Sequence, residues 1–181
     1  MIIRLNKVQY PVYNLGDGKR IGIWLQGCTL YCKDCINKLL WSKDGGRSIV
    51  IPDLFNWIQS KANEYDGITI TGGEPFQQYQ QLIALLHLVK TRTGLSVHCF
   101  TGYYLQELYD LFPDRLFSKY IDCLIDGRFI QSLNNNESHR GSTNQTIYRF
   151  KYGVAEVEQN IPESKQWSLK IDSDNRIYMA G

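Results

Sequence analysis

The feature that most constrains how this chain can fold is a group of three cysteines, Cys28, Cys32 and Cys35, with the spacing C-x3-C-x2-C. The fold must present all three thiols from one short loop. Cysteine thiolates normally bind all four irons of a cubane [4Fe–4S] cluster, so three of them would leave one iron with an open coordination position. An open position distinguishes a metal site that performs chemistry from one that only supports a fold. The triplet therefore indicates a reactive iron–sulfur cluster.

Two other interpretations of the cysteine triplet are open, a zinc site and a disulfide with one spare thiol. Zinc sites usually combine C-x2-C with a second cysteine or histidine pair, and His87, His98 and His139 do not stand at such spacing from a cysteine. A disulfide framework is unusual in a chain of 181 residues with five cysteines and no secretory signal. Cys99 and Cys123 lie in apolar segments, where free cysteine is commonly buried. An iron–sulfur cluster in a reducing compartment is the favoured interpretation.

The composition indicates one globular domain over residues 1–181, which we divide into a core at about 16–148 and a C-terminal extension at about 149–181. Hydrophobic residues make up 43% of the chain, and no stretch approaches the roughly twenty apolar residues of a membrane span. The net charge is +2, and no block of like charge indicates a nucleic-acid or membrane surface. We therefore expect a cytoplasmic protein that binds neither nucleic acid nor membrane.

Short apolar runs alternate with longer amphipathic segments along the chain. The pattern predicts strands at 21–25, 67–71, 95–100 and 120–125, and helices at 54–65, 77–90 and 105–111. This alternation is typical of a parallel α/β sheet, in which the loops after the strands meet at one edge. A complete TIM-type β/α barrel takes about 250 residues, so we expect an incomplete barrel with a wide opening. Segments at 167–171 and 176–179 predict a C-terminal β-hairpin, with a first strand at 2–10 beside it at a sheet edge.

The second informative motif is Thr71-Gly72-Gly73-Glu74-Pro75, which follows the second predicted strand. Consecutive glycines allow a positive φ and a close approach between the backbone and a ligand. By itself, a Gly-Gly turn after a strand is most often only a turn. Its position one β–α unit after the cysteine triplet makes it a candidate binding loop.

The combination of these two motifs resembles the radical S-adenosylmethionine (SAM) superfamily. Within it, the chain is most similar to the activating enzymes of anaerobic ribonucleotide reductase and of related glycyl-radical enzymes. The segments that carry this narrower resemblance are Gly16-Asp17-Gly18-Lys19-Arg20, Gln26-Gly27-Cys28, Cys35-Ile36-Asn37 with Trp41, Thr101-Gly102-Tyr103, Leu124-Ile125-Asp126-Gly127-Arg128-Phe129 and Arg140-Gly141-Ser142-Thr143-Asn144-Gln145. The chain departs from the family's pattern at Lys19, Asp34 and Ile36.

The resemblance implies that Cys28, Cys32 and Cys35 bind a [4Fe–4S] cluster and that SAM occupies its open iron. It implies an oxidoreductase of the activating type, in which the reduced cluster cleaves SAM to methionine and a 5′-deoxyadenosyl radical that abstracts hydrogen. The implied partners are a glycyl-radical enzyme as protein substrate and a flavodoxin- or ferredoxin-type electron donor. The candidate SAM-binding residues are Asp34, Asn37, Thr71, Gly72, Gly73, Glu74, Pro75, Thr101, Tyr103 and Asp126.

Other functions stay open on the sequence alone. Asp34 and Ile36, beside the cluster motif, keep a radical SAM enzyme that modifies a small metabolite or a peptide as the main alternative. A non-catalytic iron–sulfur or zinc-binding module is the third hypothesis. At single positions, Asp126 fits an Asp-Gly turn as well as a SAM contact, and Thr101 and Tyr103 fit either a turn or a nucleoside contact.

Overall fold

The computed structural model describes residues 1–135, 137, 139–160, 168–171 and 177–180, and for the last two segments it describes the backbone alone. The strands are β1 (Ile2–Val12), β2 (Arg20–Leu25), β3 (Arg47–Val50), β4 (Gly67–Gly72), β5 (Ser96–Phe100), β6 (Cys123–Asp126), β7 (Thr146–Lys151), β8 (Val154–Val157), β9 (Ser168–Ile171) and β10 (Ile177–Ala180). The α-helices are α1 (Ile51–Gln59), α2 (Tyr79–Arg92), α3 (Leu105–Leu111) and α4 (Phe117–Tyr120). Short 3-10 helices cover Lys38–Leu40, Ala62–Glu64, Pro75–Gln78 and Gln131–Leu133.

Strands β1 to β8 form one open mixed sheet in the order β3-β1-β2-β4-β5-β6-β7-β8. Its centre, β2-β4-β5-β6, is parallel, and antiparallel strands flank this centre on both sides. All six residues of β2 are buried, as is typical of a parallel strand that is covered on both faces. The predicted α/β class is therefore confirmed. Because the four central strands are parallel, their carboxyl ends share one edge of the sheet.

The helices and one face of the sheet together form the main apolar core. Helix α2 contributes the predicted apolar stripe, Leu82, Leu85, Leu86 and Val89, and each of these side chains is 0% exposed. Burying one such side chain stabilises a fold by about 1.5–3 kcal/mol, so the stripe anchors α2 to the sheet.

Residues that alternate with the core-facing positions point to the opposite face of the sheet. In β2, Ile23 belongs to the main core, whereas Trp24 belongs to a separate small cluster. In β6, Leu124 belongs to the main core and Ile125 to a third cluster. Apolar side chains fill this second face only in part, which leaves room for a cavity at the carboxyl edge.

The structure differs from the sequence prediction at the amino-terminal side of the sheet. Strand β1, expected at a sheet edge, pairs with β2 on one side and with β3 on the other. The sequence pattern missed β3 and β8 because both are short outer strands of mostly exposed residues, without apolar alternation. The helix predicted at 54–65 begins at Ile51, because Pro52 favours the first turn of a helix, and it ends at Gln59.

The C-terminal region contributes a separate two-stranded sheet. Strands β9 and β10 pair antiparallel, with Ile171 opposite Ile177. The rest of the predicted hairpin, at 167 and 172–176, lies outside the described residues. Within the part of the chain that the structure describes, no helix combines the length and the apolar character needed to cross a membrane.

Candidate active site

Four loops that follow the parallel strands meet around one cavity of about 550 Å³ at the carboxyl edge of the sheet. Cys28 follows β2, Gly73 follows β4, Thr101 follows β5 and Arg128 follows β6, and all four residues line the cavity. A cavity of this volume is in the usual range for small-molecule and cofactor sites. The structure therefore brings together motifs that are scattered along the chain, as a parallel sheet predicts.

The cysteine loop is closed by backbone hydrogen bonds at its two ends. The Gly27 N–H donates to the carbonyl of Leu40 (2.8 Å), and the Cys28 N–H donates to that of Trp41 (3.1 Å). The three thiols are free and partly exposed, and all of them line the cavity. Burial raises the pKa of the Cys28 and Cys32 thiols, so they keep their protons until a metal displaces them.

The Gly72-Gly73 turn lies against the start of the cysteine loop. The Gly73 N–H donates to the carbonyl of Leu25 (2.8 Å), and the Glu74 N–H donates to that of Gly27 (2.9 Å). A Cβ on Gly73 would lie 2.2 Å from the Gly27 carbonyl oxygen, and Gly72 has a φ of +106°, so both positions require glycine. The glycines thus permit close contact between two backbone loops, and both also line the cavity.

Glu74 is a buried carboxylate held by three donors. Its Oε1 accepts hydrogen bonds from the Phe76 N–H (3.0 Å) and the Thr101 hydroxyl (2.8 Å), and its Oε2 accepts one from the Gly102 N–H (2.8 Å). Burial raises the pKa of Glu74 to about 7, although these hydrogen bonds and the charge of Arg128 act in the opposite direction. At the cavity wall, this carboxylate can accept a further hydrogen bond from a ligand.

Tyr103 is part of a polar contact with the cysteine loop. The Oε1 of Gln77 accepts from the Thr29 N–H (3.1 Å), and the Nε2 of Gln77 donates to the Thr29 hydroxyl (2.7 Å). The same Nε2 donates to the Tyr103 hydroxyl over 3.4 Å. The "Thr-Gly-Tyr" motif thereby supports the position of the cysteine loop.

Two of the carboxylates predicted to bind SAM instead hold neighbouring backbone segments in position. Asp126 is 2% exposed, and it accepts hydrogen bonds from the N–H groups of Leu105 (2.8 Å) and Thr146 (3.0 Å). Asp34 accepts one from the Gln131 N–H (3.3 Å). Of the ten predicted SAM-binding residues, the cavity is lined by Asn37, Thr71, Gly72, Gly73, Glu74 and Thr101, and it is not lined by Asp34, Pro75, Tyr103 and Asp126.

Comparisons with known proteins agree with this geometry. Residues 14–148 match the family model described as a 4Fe-4S single cluster domain. Over 157 residues the chain is 34% identical to the anaerobic ribonucleoside-triphosphate reductase-activating protein of Haemophilus influenzae, covering 81% of this chain and 99% of that protein. The protein of the same name from Pasteurella multocida is 34% identical over 156 residues, with 81% and 98% covered. The chain belongs to the family of anaerobic ribonucleoside-triphosphate reductase-activating proteins.

Membership of this activating-protein family confirms the sequence-based identification of a radical SAM enzyme, whose cofactors are a [4Fe–4S] cluster and SAM. Among solved structures, the crystal structure of QueE from Escherichia coli shares 24% sequence identity, covers 56% of this chain and 53% of that chain, and gives a TM-score of 0.47. That likeness is too weak to support an argument about the fold.

The residues at the cavity fit the cofactors of the family. Three thiols from one loop, none of them in a disulfide, can bind three irons of a cluster. Among the described residues, no three histidine, cysteine, aspartate or glutamate side chains are grouped as a single metal ion requires. The indole N–H of Trp41 is buried and has no hydrogen-bond partner among the residues that the structure describes, and Trp41 lines the same cavity. A ligand bound there can satisfy this donor.

The family segment at 140–145 forms another part of the cavity wall, although sequence reasoning assigned it no role. The Oε1 of Gln145 accepts from the Gly141 N–H (2.8 Å), and its Nε2 donates to the Gly127 carbonyl (2.8 Å). The Asn144 amide donates to the Arg128 carbonyl (2.8 Å). The segment therefore fixes the loop after β6, and Gln145, Gly141 and Arg128 line the cavity.

Sequence reasoning also missed Lys7 and Trp24, which line the cavity from β1 and β2. No motif marks these residues. Their position depends on how β1 pairs with β2, and a local sequence pattern does not specify that pairing.

An ionic cluster centred on Asp17 adjoins the cavity. The Asp17 carboxylate lies 2.8 Å from Nη2 of Arg149, 3.6 Å from Nε2 of His139 and 3.9 Å from Nε2 of His98. Burial lowers the pKa of His98 and of His139, so both rings are neutral at pH 7. Because His139 lines the cavity, the cluster connects the cavity wall to the loop before β2.

Proposed function

We propose that this protein activates an anaerobic ribonucleoside-triphosphate reductase by generating a glycyl radical on it. The relatives reported above are named as activators of that reductase. The observation that carries the proposal is the placement of three free thiols and the Gly72-Gly73-Glu74 loop on one open cavity. This placement supports a cluster site with a SAM site beside it.

The residues of the cavity have separate tasks in this reaction. The bound cofactors would supply a one-electron cleavage of the sulfonium C–S bond of SAM, which gives methionine and a 5′-deoxyadenosyl radical able to take a hydrogen atom from a glycine of the partner. Cys28, Cys32 and Cys35 would each bind one iron of the cluster, and the Asn37 N–H donates to the Cys35 sulfur (3.4 Å). Glu74 would accept a hydrogen bond from the amino group of SAM through Oε2, which accepts one hydrogen bond within the protein and has capacity for a second donor.

We assign SAM contacts to the predicted residues that line the cavity. They line the same cavity as the three thiols of the cysteine loop. These residues are Asn37, Thr71, Gly72, Gly73, Glu74 and Thr101. The other predicted residues do not line the cavity, and we assign them to the surrounding structure that holds its wall in position. These residues are Asp34, Pro75, Tyr103 and Asp126.

The architecture supports a large substrate. We propose that β2, β4, β5 and β6 with their helices form an incomplete TIM-type β/α barrel, and that β9 and β10 form its C-terminal hairpin. Helices on one face of the sheet and a cavity at its carboxyl edge support this assignment. The wide opening of such a barrel fits a macromolecular partner. We propose in addition that the electron donor is of flavodoxin or ferredoxin type. The proposed reaction takes place in the cytoplasm and involves no nucleic acid.

Anaerobic reconstitution with iron and sulfide, followed by dithionite and SAM, tests the proposed function. We expect about four irons per chain, release of 5′-deoxyadenosine and, with the anaerobic reductase of the same organism present, a glycyl-radical signal in electron paramagnetic resonance. The Cys32→Ser variant, which lacks one cluster ligand, should lose all three. SAM cleavage without a radical on the reductase would favour the alternative, an enzyme acting on a metabolite or a peptide. A loaded, reduced protein that never cleaves SAM would exclude both enzymes.

A further inference from the structure

We propose that Lys7 is a specificity-determining residue that donates a hydrogen bond to a backbone carbonyl oxygen of the partner segment from which hydrogen is taken. This inference rests on the proposed function. Three observations carry it: a β-bulge in β1, the contact between Lys7 and Trp24, and the position of both residues on the cavity wall.

The β-bulge decides which face of the sheet Lys7 occupies. In the pairing of β1 with β2, Leu5 lies opposite Leu25 and Lys7 lies opposite Trp24. Leu25 and Trp24 are consecutive, so Asn6 is an extra residue in β1. In a regular pairing without a bulge, Lys7 would lie opposite Ile23 and on the same face as Leu5, towards the helices. Bulges often redirect a side chain next to an active site, and this one turns Lys7 to the cavity.

Trp24 holds the Lys7 side chain in a defined place. The ammonium nitrogen of Lys7 lies 4.5 Å from the centroid of the Trp24 ring, within the range of a cation–π contact. Trp24 is 6% exposed, and its ring lies so close over Gly22 that a Cβ there would come within 2.5 Å of it. The platform under Lys7 is therefore rigid. A donor that is already positioned loses little conformational freedom when it binds a ligand.

Three further charged side chains line the cavity wall, those of Glu74, Arg128 and Arg140. These residues come from the loops after β4 and β6 and from the segment before β7, so Lys7 is the charge that β1 contributes to the wall.

The sheet order separates Lys7 from the SAM candidates that follow β4 and β5. Strand β1 lies beside β2, whereas Gly73 and Glu74 follow β4 and Thr101 follows β5. With SAM bound against β4 and β5, the part of the cavity beside β1 is left for a second ligand, the hydrogen donor. A peptide that brings a glycine into this space carries a carbonyl oxygen on each side of the reacting Cα. A hydrogen bond from Lys7 to one of them would orient that Cα towards SAM.

The test compares Lys7→Met, which removes the charge and keeps much of the shape, with Lys7→Arg, which keeps a cationic donor. Lys61→Met is the matched control, because Lys61 lies over the rings of Tyr10 (5.3 Å) and Trp57 (5.9 Å), and none of these three residues lines the cavity. For each cluster-loaded protein, the KM for the reductase is measured from the rate of glycyl-radical formation. The Kd for SAM is measured by isothermal titration calorimetry, and the fold by thermal unfolding.

We expect Lys7→Met to raise the KM for the reductase about tenfold, Lys7→Arg to recover most of this loss, and the Kd for SAM to change by less than about twofold. A higher Kd for SAM with an unaltered KM would overturn the inference and place Lys7 at the SAM site. If Lys7→Met and Lys61→Met have the same KM for the reductase, the inference is overturned as well. If the wild-type protein cleaves SAM but forms no radical on the reductase, the proposed function fails and this inference fails with it. The wild-type control thus distinguishes the two failures.

Discussion

At the scale of single residues, Glu74 is subject to two opposing influences. Its carboxylate is 1% exposed, which disfavours the charged form, and it accepts three hydrogen bonds, which favour that form. Burial is the larger influence, and the pKa of Glu74 is raised to about 7. A carboxyl group with this pKa changes its charge near neutral pH, which is unusual outside functional sites.

We therefore expect SAM to bind the cluster-loaded protein more tightly at pH 8 than at pH 6. As the pH rises through the pKa of about 7, Glu74 loses its proton and becomes a stronger acceptor for the amino group of SAM. The ionised fraction rises from about one tenth to about nine tenths, so the Kd should fall by up to about tenfold. Calorimetric titration at both pH values measures this change. Glu74→Gln cannot titrate, and an equal pH dependence in that variant would assign the effect to another group.

Gly73 tests whether the contact between the two loops holds the site together. In Gly73→Ala the new Cβ would lie 2.2 Å from the Gly27 carbonyl oxygen, and backbone atoms cannot move aside as a flexible side chain can. We expect the free energy of unfolding to fall by about 3 kcal/mol and the reconstituted iron content to decrease. Thermal unfolding and iron analysis measure both.

The matched control for the Gly73 prediction is Gly94→Ala. A Cβ on Gly94 would meet nothing within 4 Å. Its Tm should therefore stay within about 2 °C of the wild-type value. If both alanine variants unfold at the same temperature, the loop contact does not support the fold.

At the scale of secondary-structure elements, Asp126 connects three of them. It is the last residue of β6, and its carboxylate accepts the N–H of Leu105 at the start of α3 and the N–H of Thr146 at the start of β7. The first N–H groups of a helix have no partner within the helix, so this carboxylate satisfies one of them. The Asp-Gly motif thus positions α3 and β7 relative to the end of β6.

Replacing Asp126 by alanine should destabilise the protein. The buried N–H of Leu105 and the partly buried N–H of Thr146 would lose their acceptor, and each unsatisfied buried group costs about 1–3 kcal/mol. We expect a total loss of about 3 kcal/mol in urea unfolding, with Asp126→Asn intermediate because it keeps one acceptor oxygen. The Kd for SAM is measured on the same variants. A weaker SAM affinity without a loss of stability would instead support a direct contact between Asp126 and SAM.

At the scale of the whole molecule, the two ends of the parallel strands have different tasks. At the amino end, Arg20 is 0% exposed and donates to the Thr69 hydroxyl (2.7 Å), the Asp17 carbonyl (2.9 Å) and the Ser96 hydroxyl (2.9 Å). These bonds join β2, β4 and β5. At the carboxyl end, the same strands lead into the cavity. In β/α folds, stability at one end and chemistry at the other is the usual division.

We expect SAM to stabilise the protein only after the cluster is bound at the carboxyl end of the strands. The open iron would be the main anchor for SAM, and a ligand that binds only the native state at 100 times its Kd adds about 2.7 kcal/mol to the free energy of unfolding. For a chain of this length we expect a rise in Tm of about 5–10 °C. Anaerobic thermal unfolding of the cluster-loaded and the metal-free protein, with and without SAM, measures this rise. An equal shift in both would show that SAM binds without the iron.

The sequence by itself determined the order of the central elements and the positions of the chemical motifs. The cysteine spacing, the Gly72-Gly73 turn after β4 and the apolar stripe of α2 each depend on neighbours within a few residues. Periodicity and turn chemistry are therefore enough to find them. The convergence of the loops also followed from the sequence, because parallel strands place their carboxyl ends at one edge.

Only the tertiary structure decided which residues form the cavity wall and which form its frame. Asp126 ends β6 and Tyr103 follows β5, yet both side chains are used in contacts within the fold. Lys7 carries no motif, and it reaches the cavity because Asn6 is an extra residue in the pairing of β1 with β2. These outcomes depend on hydrogen bonds and packing between segments far apart in the chain. A window of neighbouring residues contains no information about such contacts. The positions of these side chains were therefore visible only in the tertiary structure.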